Sequence, residues 1–382
     1  VIVVFFLNNI VFAIEDIGEV VITPNRSSVE LSKVGSSVLI IEKDQIENSA
    51  STTTSGVLQE FGGFSIASKG NKGSDPSYFN RGLSRKYIKV LVDGMDLSDI
   101  TSTQEEPTYI DNLIINNVDN IEILNGSQGT LYGGNAIGGV ISIISSLPEE
   151  KGSTINHYFE GGEYGSIKNS NSFKHLTDNF SLVINFDGER SGGYNSFIDT
   201  DIAPTEKDGY YLYGTNFLSS FKLSDNLKAN FNGRYYKQYN EYDNNFSYPG
   251  DTVSYYRSDK VYALLFDLIY NQENASHKIT FQPTYTTRIN TSGSSYEYDG
   301  RKNKLEYIVS SKIFGIDTLS GLDFLKKSAD MSGTLADKEI YSIFTEFRFD
   351  VSGNTKVDAS VRREYDNVYD TFDTGRLQLN HK

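Results

Sequence analysis

The chain contains no cysteine and no tryptophan, and only two methionines, seven prolines and four histidines. Without cysteine there is no disulfide framework, no thiolate zinc site and no cysteine nucleophile. His157, His175, His277 and His381 are scattered, so imidazole chemistry has few places to sit. Basic residues are also in the minority: 35 Lys and Arg against 50 Asp and Glu leave a net charge of −15. That balance argues against a nucleic-acid groove, because phosphate binding needs a basic surplus. No apolar run reaches the roughly 20 residues that a membrane-spanning helix requires. No Gly-x-Ser-x-Gly elbow is present. The glycine-rich stretch Gly133 to Gly139 lacks the lysine of a phosphate loop, since Val140 follows its last glycine. An enzyme is not expected.

What remains is a chain of 382 residues, 38% hydrophobic, with enough apolar side chain for a core. Its 26 Tyr, 23 Phe and 33 Gly suit strands and turns better than helices. Val1 to Ala13 is apolar apart from Asn8 and Asn9, and fits the hydrophobic region of a secretory signal, with Val11-Phe12-Ala13 before the cleavage point. The initiating Met and a basic n-region are missing, so the sequence is expected to start inside its gene product. The alternative is the first strand of a soluble fold.

Two compositional halves follow. Residues 28–146 are mixed α and β. Strands are expected at Ser37–Ile41, Tyr87–Val92, Ile121–Leu124 and Val140–Ile144. Lys43 to Ile46 opens a helical turn, and Ser55 to Phe61 reads as a short amphipathic helix ended by Gly62-Gly63. Asp93-Gly94 is a hairpin turn signal. The many glycines of Gly126 to Gly139 imply positive φ or close backbone approach.

From about residue 152 the period is two. Tyr211, Tyr213, Thr215, Phe217, Ser219, Phe221 and Leu223 share one face, and Leu212, Gly214, Asn216, Leu218, Ser220 and Lys222 the other. After Asp225-Asn226 the alternation resumes at Leu227, and it recurs at Phe180–Phe186 and Tyr341–Phe349. Such strands exceed the usual globular length. Short connections alternate with long polar ones, at 191–208 and 240–259. This is the pattern of an antiparallel outer-membrane β-barrel with its apolar side to lipid; a soluble sandwich or β-helix is the alternative.

These segments resemble the TonB-dependent outer-membrane receptors. Glu19-Val20-Val21-Ile22-Thr23 is similar to their TonB box. Phe61 to Ile66, Phe79-Asn80-Arg81-Gly82, Val90 to Gly94 and Leu131 to Ile141 follow the order of the plug motifs. Asn125-Gly126-Ser127 departs from the family's usual Arg-Gly-Pro. The resemblance implies an α+β plug at 28–146 after a TonB-box segment at 14–27 and a partial signal at 1–13. It implies an N-terminal part of a barrel at 147–382. At roughly 20 residues per strand and connection this part holds about 11 or 12 of the expected 22 strands.

The family's function is import of a scarce nutrient, with TonB, ExbB and ExbD as energy-coupling partners. The box would add to a partner's sheet by β-augmentation, with Pro24 ending the pairing. A passive porin or adhesin would need neither plug nor box. Arg81 and Glu122 resemble charged plug positions buried within the barrel. By family position, Ser74, Asp75, Ser77, Tyr78, Leu97, Ser98 and Thr101 would face the substrate. The start of the barrel is most similar to the cobalamin receptors of this family, in Gly192 to Asn195, Thr205 to Gly209 and Asn240 to Asp243. That likeness implies calcium held by Asn195, Glu206, Asp208 and Asp243, with Asp251 or Asp259 as a further ligand. Asn195 stands where relatives have Asp. Oxygen donors of this kind suit Ca²⁺. The ligand expected is cobalamin, with a ferric siderophore as the alternative.

Overall fold

A computed structural model describes residues 20–21, 29–30, 36–68, 70, 73–102, 107–113, 117–195, 207–242, 255–292, 294–352 and 354–381. The N-terminal domain opens with a two-residue strand pair, β1 (Val20–Val21) with β2 (Val29–Glu30). Next come β3 (Val38–Glu42), α1 (Lys43–Glu47), α2 (Thr54–Glu60), β4 (Ser65–Ala67), β5 (Ser77–Asn80), β6 (Leu83–Ser84), β7 (Ile88–Val92), β8 (Met95–Asp96), β9 (Val118–Asn125), α3 (Gly129–Tyr132) and β10 (Gly139–Ser145). The central sheet has the order β3-β9-β10-β7-β8, with β10 parallel to β7 and antiparallel to β9. Strands β4, β5 and β6 form a separate small sheet.

The expected elements of this half are present with small shifts. Thr53 caps α2 by accepting the Gly56 N–H at 3.2 Å. At the other end Gly63 adopts φ 70°, which lets the Phe64 N–H reach the Leu58 carbonyl at 3.2 Å. Asp93 and Gly94, at φ 50° and 81°, form the two-residue turn between Val92 and Met95. The Asp93 carboxylate also accepts the N–H and the hydroxyl of Ser145, at 2.8 and 2.9 Å. Two departures stand out. The predicted strand at Tyr87 begins at Ile88, because Arg85–Tyr87 is a 3-10 turn. The glycine-rich stretch contains the one-turn helix α3, which the glycine count concealed. Its glycines nevertheless serve as expected: Gly139, at φ 126°, lies so close to β9 that a Cβ would stand 2.4 Å from the Leu124 carbonyl oxygen.

The second half is one twelve-stranded antiparallel sheet in sequence order. Its strands are β11 (Gly152–Gly161), β12 (Ile167–Leu176), β13 (Phe180–Ser191), β14 (Tyr210–Lys222), β15 (Leu227–Tyr242), β16 (Tyr255–Asn271), β17 (Ala275–Ser292), β18 (Ser294–Ile313), β19 (Ile316–Met331), β20 (Thr334–Ser352), β21 (Thr355–Asp366) and β22 (Asp370–His381). The twelve strands agree with the expected number, and β11 and β22 are the sheet's two edges. The predicted alternation holds. Leu212, Asn216 and Leu218 are buried on the inner face, while Tyr213 and Phe221 are exposed on the outer one.

Connections differ in detail from expectation. At one end the chain turns in a few residues, as at Phe314-Gly315. At the other end the connection after Ser191 is long, but 240–242 and 255–259 belong to strands β15 and β16 rather than to a loop. Further along, Met331 pairs with Thr334 in a tight turn. There the extra length is in the strands themselves, up to 20 residues in β18.

The inner face of this wall packs on the N-terminal domain. One buried cluster joins Ile41, Val57, Leu58, Val90, Ile121 and Ile141 to Tyr210, Leu212, Tyr236, Val261, Ala263 and Leu265 of β14–β16. Among the described residues no helix is long and apolar enough to cross a membrane, which says nothing about strands.

Candidate functional site

Two segments of the N-terminal domain carry the residues expected to face a substrate, and both lie against the inner wall. The first runs from Gly73 to Tyr78. Gly73, at φ 93°, approaches the wall so closely that a Cβ would meet the Tyr210 ring at 2.0 Å, and its carbonyl accepts from Gln238 Nε2 at 3.0 Å. Asp75 forms an ion pair with Arg85 at 2.5 Å, and Arg85 also donates to the Pro76 carbonyl at 3.1 Å. Ser74 and Ser77 are half-buried here, and Tyr78 is fully buried. The Tyr78 hydroxyl donates to the Thr108 carbonyl at 3.3 Å, which links this segment to the second one.

The second segment is a strap over Leu97–Tyr109, described at 97–102 and 107–109, that leaves β8 and is tied to three consecutive wall strands. At its root, Lys302 of β18 and Lys89 of β7 each donate to Asp96 at 2.9 Å, and Gln282 of β17 reaches the Asp96 carbonyl at 3.1 Å. Lys302 donates also to the Ser98 hydroxyl, at 2.8 Å. Burial opposes ionisation of Asp96, yet the Lys302 and Lys89 ammoniums outweigh it and hold this carboxyl well below the usual carboxylate range. Leu97 is buried beside it.

At the crest, Asp99 accepts from the Thr101 N–H at 2.8 Å, the Thr101 hydroxyl at 2.6 Å, the Tyr109 hydroxyl at 3.3 Å and Arg288 Nη1 at 2.6 Å. Arg288 Nη2 donates to the Thr101 carbonyl at 3.2 Å. The Arg257 guanidinium lies 3.8 Å from the centre of the Tyr109 ring. Burial pushes the Tyr109 phenol up to about 12, so it stays a neutral donor to Asp99. Gly300 makes room for the strap: a Cβ there would be 2.9 Å from Ile100 Cγ1.

The wall residues Arg288, Lys302, Gln238, Gln282 and Arg257 were not singled out from sequence. Their signal is periodic: long polar side chains at alternate positions, on the face opposite the exposed tyrosines and phenylalanines, although Tyr236 and Tyr255 share their face.

Beside the strap root lies a cavity of about 690 Å³ between Lys89, Asp93, Asp96 and the 129–135 turn on one side and strands β16 to β22 on the other. Its volume is in the range of small-molecule sites. Its lining is charged but internally matched, as in Arg362 with Asp323 at 2.9 Å and Lys338 with Asp366 at 2.6 Å.

The six expected calcium ligands are not all within the described residues: Glu206, Asp243 and Asp251 fall outside them. At the neck of the 192–209 connection the Asp208 N–H donates to the carbonyl of Tyr194, the residue before Asn195, at 3.3 Å. The neck is closed further by Glu241, whose carboxylate accepts the Gly209 N–H at 2.8 Å. Asp259 differs from expectation. It is a strand residue of β16, buried, with both oxygens on Arg257 Nε at 2.8 and 3.1 Å, because the alternation of β16 turns it to the inner face. Among the described residues no three carboxylate or imidazole groups gather around one point.

Of the two charges expected inside the barrel, Glu122 is buried in β9. Arg81 is exposed, because at φ 50° it occupies the tip of the β5–β6 turn. For the TonB box, Val20 and Val21 pair in β1 with Glu30 and Val29; Glu19, Ile22 and Thr23 lie outside the described residues.

Comparison with known proteins agrees with this architecture. Residues 30–140 match the family model described as TonB-dependent Receptor Plug Domain. The vitamin B12 transporter BtuB of Vibrio vulnificus strain YJ016 is 30% identical over 265 residues, covering 68% of this chain and 41% of the transporter. The rhizobactin receptor of Rhizobium meliloti strain 1021 is 24% identical over 246 residues, covering 60% of this chain and 32% of the receptor. The chain thus spans less than half the length of these relatives. Among solved structures, a mutant of the ferric enterobactin receptor PfeA of Pseudomonas aeruginosa superposes with TM-score 0.72 at 15% identity, covering 90% of this chain and 59% of that one. The siderophore receptor PirA of Acinetobacter baumannii gives TM-score 0.73 at 14% identity, covering 92% and 59%. The structural likeness bears on fold alone. With the plug match over the N-terminal domain and the sequence relatives extending into the wall, this chain belongs to the TonB-dependent receptors of the outer membrane.

Proposed function

We propose that the chain is the plug-bearing part of a receptor that captures a scarce nutrient and delivers it to the periplasm with energy transmitted by TonB, ExbB and ExbD. The observation that carries this reading is the strap. A plug segment held to the wall by ion pairs and hydrogen bonds closes the lumen, yet can be released without exposing much apolar surface. The extended β1 strand supports Glu19 to Thr23 as the TonB-binding segment, since a strand is what β-augmentation requires.

Cobalamin is the substrate this reading favours, on the relative at 30% identity. The rhizobactin receptor keeps a ferric siderophore as the second reading. In either case Ser74, Asp75, Ser77 and Tyr78 with Leu97, Ser98 and Thr101 are the plug positions proposed to sense the ligand. Calcium is proposed at the neck of the 192–209 connection, where Asn195 and Asp208 supply oxygen donors of the type Ca²⁺ takes. Glu206 and Asp243 are its further proposed ligands, with Asp251 as an alternative; Asp259 is engaged by Arg257.

Cells producing the receptor with residues 19–23 deleted should bind labelled cobalamin normally and import none. Import that survives the deletion with TonB present refutes the coupling. Binding of a ferric siderophore in place of cobalamin selects the second reading.

A further inference from the structure

On the outer face of β14–β17, from the middle of the strands toward the long-connection end, stands a group of aligned tyrosines. Tyr235 is directly opposite Tyr262, and Tyr262 opposite Tyr285, with ring centres 4.8 and 6.3 Å apart. Tyr211 stacks on Tyr239 at 5.1 Å. Such rows mark the headgroup level of a membrane-spanning barrel. Within this group Lys237 and Lys260 are cross-strand partners. Like charges placed directly opposite are destabilising. Among the described residues neither lysine has a carboxylate within ion-pair reach. A third cation, exposed Arg190, stands directly opposite Tyr211, whose ring centre is 5.8 Å from the Lys237 ammonium.

The contrast on the same outer face is Lys326. Its cross-strand partner is Glu339, and the two are in contact at 2.8 Å. This chain carries 50 acidic residues against 35 basic ones, yet among the described residues none is in ion-pair contact with Lys237 or Lys260; the nearby Glu241 and Asp299 accept instead from Tyr239 and from Tyr285 and Thr287.

Farther toward the short-connection end, Phe231 is opposite Phe266 and Phe266 opposite Phe281, with ring centres 4.5 and 6.4 Å apart. Phe231 lies roughly 20 Å from Lys237 along β15, at about 3.3 Å per residue. That separation suits a phosphate over the lysines with its acyl chains running down the phenylalanine row.

We propose that Lys237 and Lys260, with Arg190 beside them, form a docking site for the phosphate headgroup of an anionic lipid. The phosphate removes the repulsion between the lysines. Lysine stems lie along the aromatic surface while their ammoniums reach the headgroup plane. The site is on the lipid-facing side of the wall and does not depend on which nutrient the receptor takes.

The test is native mass spectrometry of the purified full-length receptor in detergent with equal amounts of phosphatidic acid and phosphatidylcholine of matched acyl chains. The wild type should retain phosphatidic acid in preference. In the Lys237→Gln, Lys260→Gln variant that preference should fall by roughly 30-fold, from two cations lost at an anionic headgroup. Lys326→Gln should leave it unchanged, and Lys237→Arg with Lys260→Arg should preserve it, which separates lost charge from misfolding. Equal retention of both lipids by the wild type, or an unchanged preference in the double Gln variant, overturns the proposal. Full displacement by millimolar inorganic phosphate also overturns it, because the site would then hold a small anion and not a lipid.

Discussion

Replacing Arg288 by Met should free the strap while leaving the rest of the plug in place. Asp99 is 1% exposed and paired with Arg288 at 2.6 Å. Removing one partner of a buried pair costs about 3–5 kcal/mol, because the remaining charge is left uncompensated. Asp99 keeps the Thr101 N–H, the Thr101 hydroxyl and the Tyr109 hydroxyl, so the lower end, about 3 kcal/mol, applies. At about 1.4 kcal/mol per factor of ten, that corresponds to a roughly 100-fold larger open population of the strap.

Native-state hydrogen exchange reads this directly. The Asp99 N–H donates to the Pro107 carbonyl at 3.0 Å and the Thr101 N–H to Asp99 itself, so both amides exchange only when the strap opens. In Arg288→Met they should exchange about 100-fold faster, while the amides of β7 and β10 keep their rates. Adding Asp99→Asn should restore part of the protection, since no buried charge is then left unpaired. Unchanged strap exchange in Arg288→Met would show that the pair does not hold the strap. Equal acceleration in β7 and β10 would show a global loss of stability and refute the local latch.

Asp96 sets an acid limit. Its carboxyl is held low in the folded state, so its contribution is complete above the unfolded value of about 3.9 and is lost as pH falls through the lower folded value. Thermal melts should therefore be flat in this contribution from neutral pH down to about 5 and show an acid limb below about 4 that Asp96→Asn removes. Gly73→Ala and Gly82→Ala both place a side chain at positive φ, but only position 73 also meets a wall ring, at 2.0 Å. Gly82→Ala should cost about 1 kcal/mol from backbone strain alone; Gly73→Ala should lower the melting midpoint further, by overpacking worth about 1–3 kcal/mol more. Asp243→Ala should weaken cobalamin binding more at low calcium than at high calcium, measured by titrating the receptor with calcium; binding indifferent to chelator removes the proposed site.

Much of the fold was legible because it depends on local pattern. The alternation from Tyr211 to Leu223 fixes which side of β14 meets lipid, and Asp93-Gly94 fixes a hairpin whatever surrounds it. The helix α3 was hidden because glycine is a poor helix former; packing of Leu131 against Ile308, Leu319 and Phe344 compensates. Asp259 was placed at the end of a long polar connection over 240–259, whereas the period-two pattern continues through it. The strap contacts could not be read at all. Asp99 and Arg288 are 189 residues apart, and their pairing depends on how the plug is rotated within the wall, which no local signal specifies.

The plug–wall interface is divided by chemistry, and the division bears on transport. Against β14–β16 the contact is apolar, in Tyr210, Leu212, Tyr236, Val261 and Leu265. Parting it exposes hydrocarbon to water, at about 25 cal/mol for each Å². Against β16–β18 the contact is made by Arg288, Lys302, Gln282 and Arg257, groups that water can solvate once they separate. Opening there exchanges protein hydrogen bonds for hydration, at a smaller net cost per bond than the interaction has in isolation. The strap is therefore the part of this interface whose release exposes little apolar surface, while the β14–β16 contact and the packing of Leu131 on Ile308, Leu319 and Phe344 resist parting. The positions proposed to sense the ligand, Leu97, Ser98 and Thr101, belong to the strap, so a ligand that draws on their partners weakens the contacts that hold it to the wall.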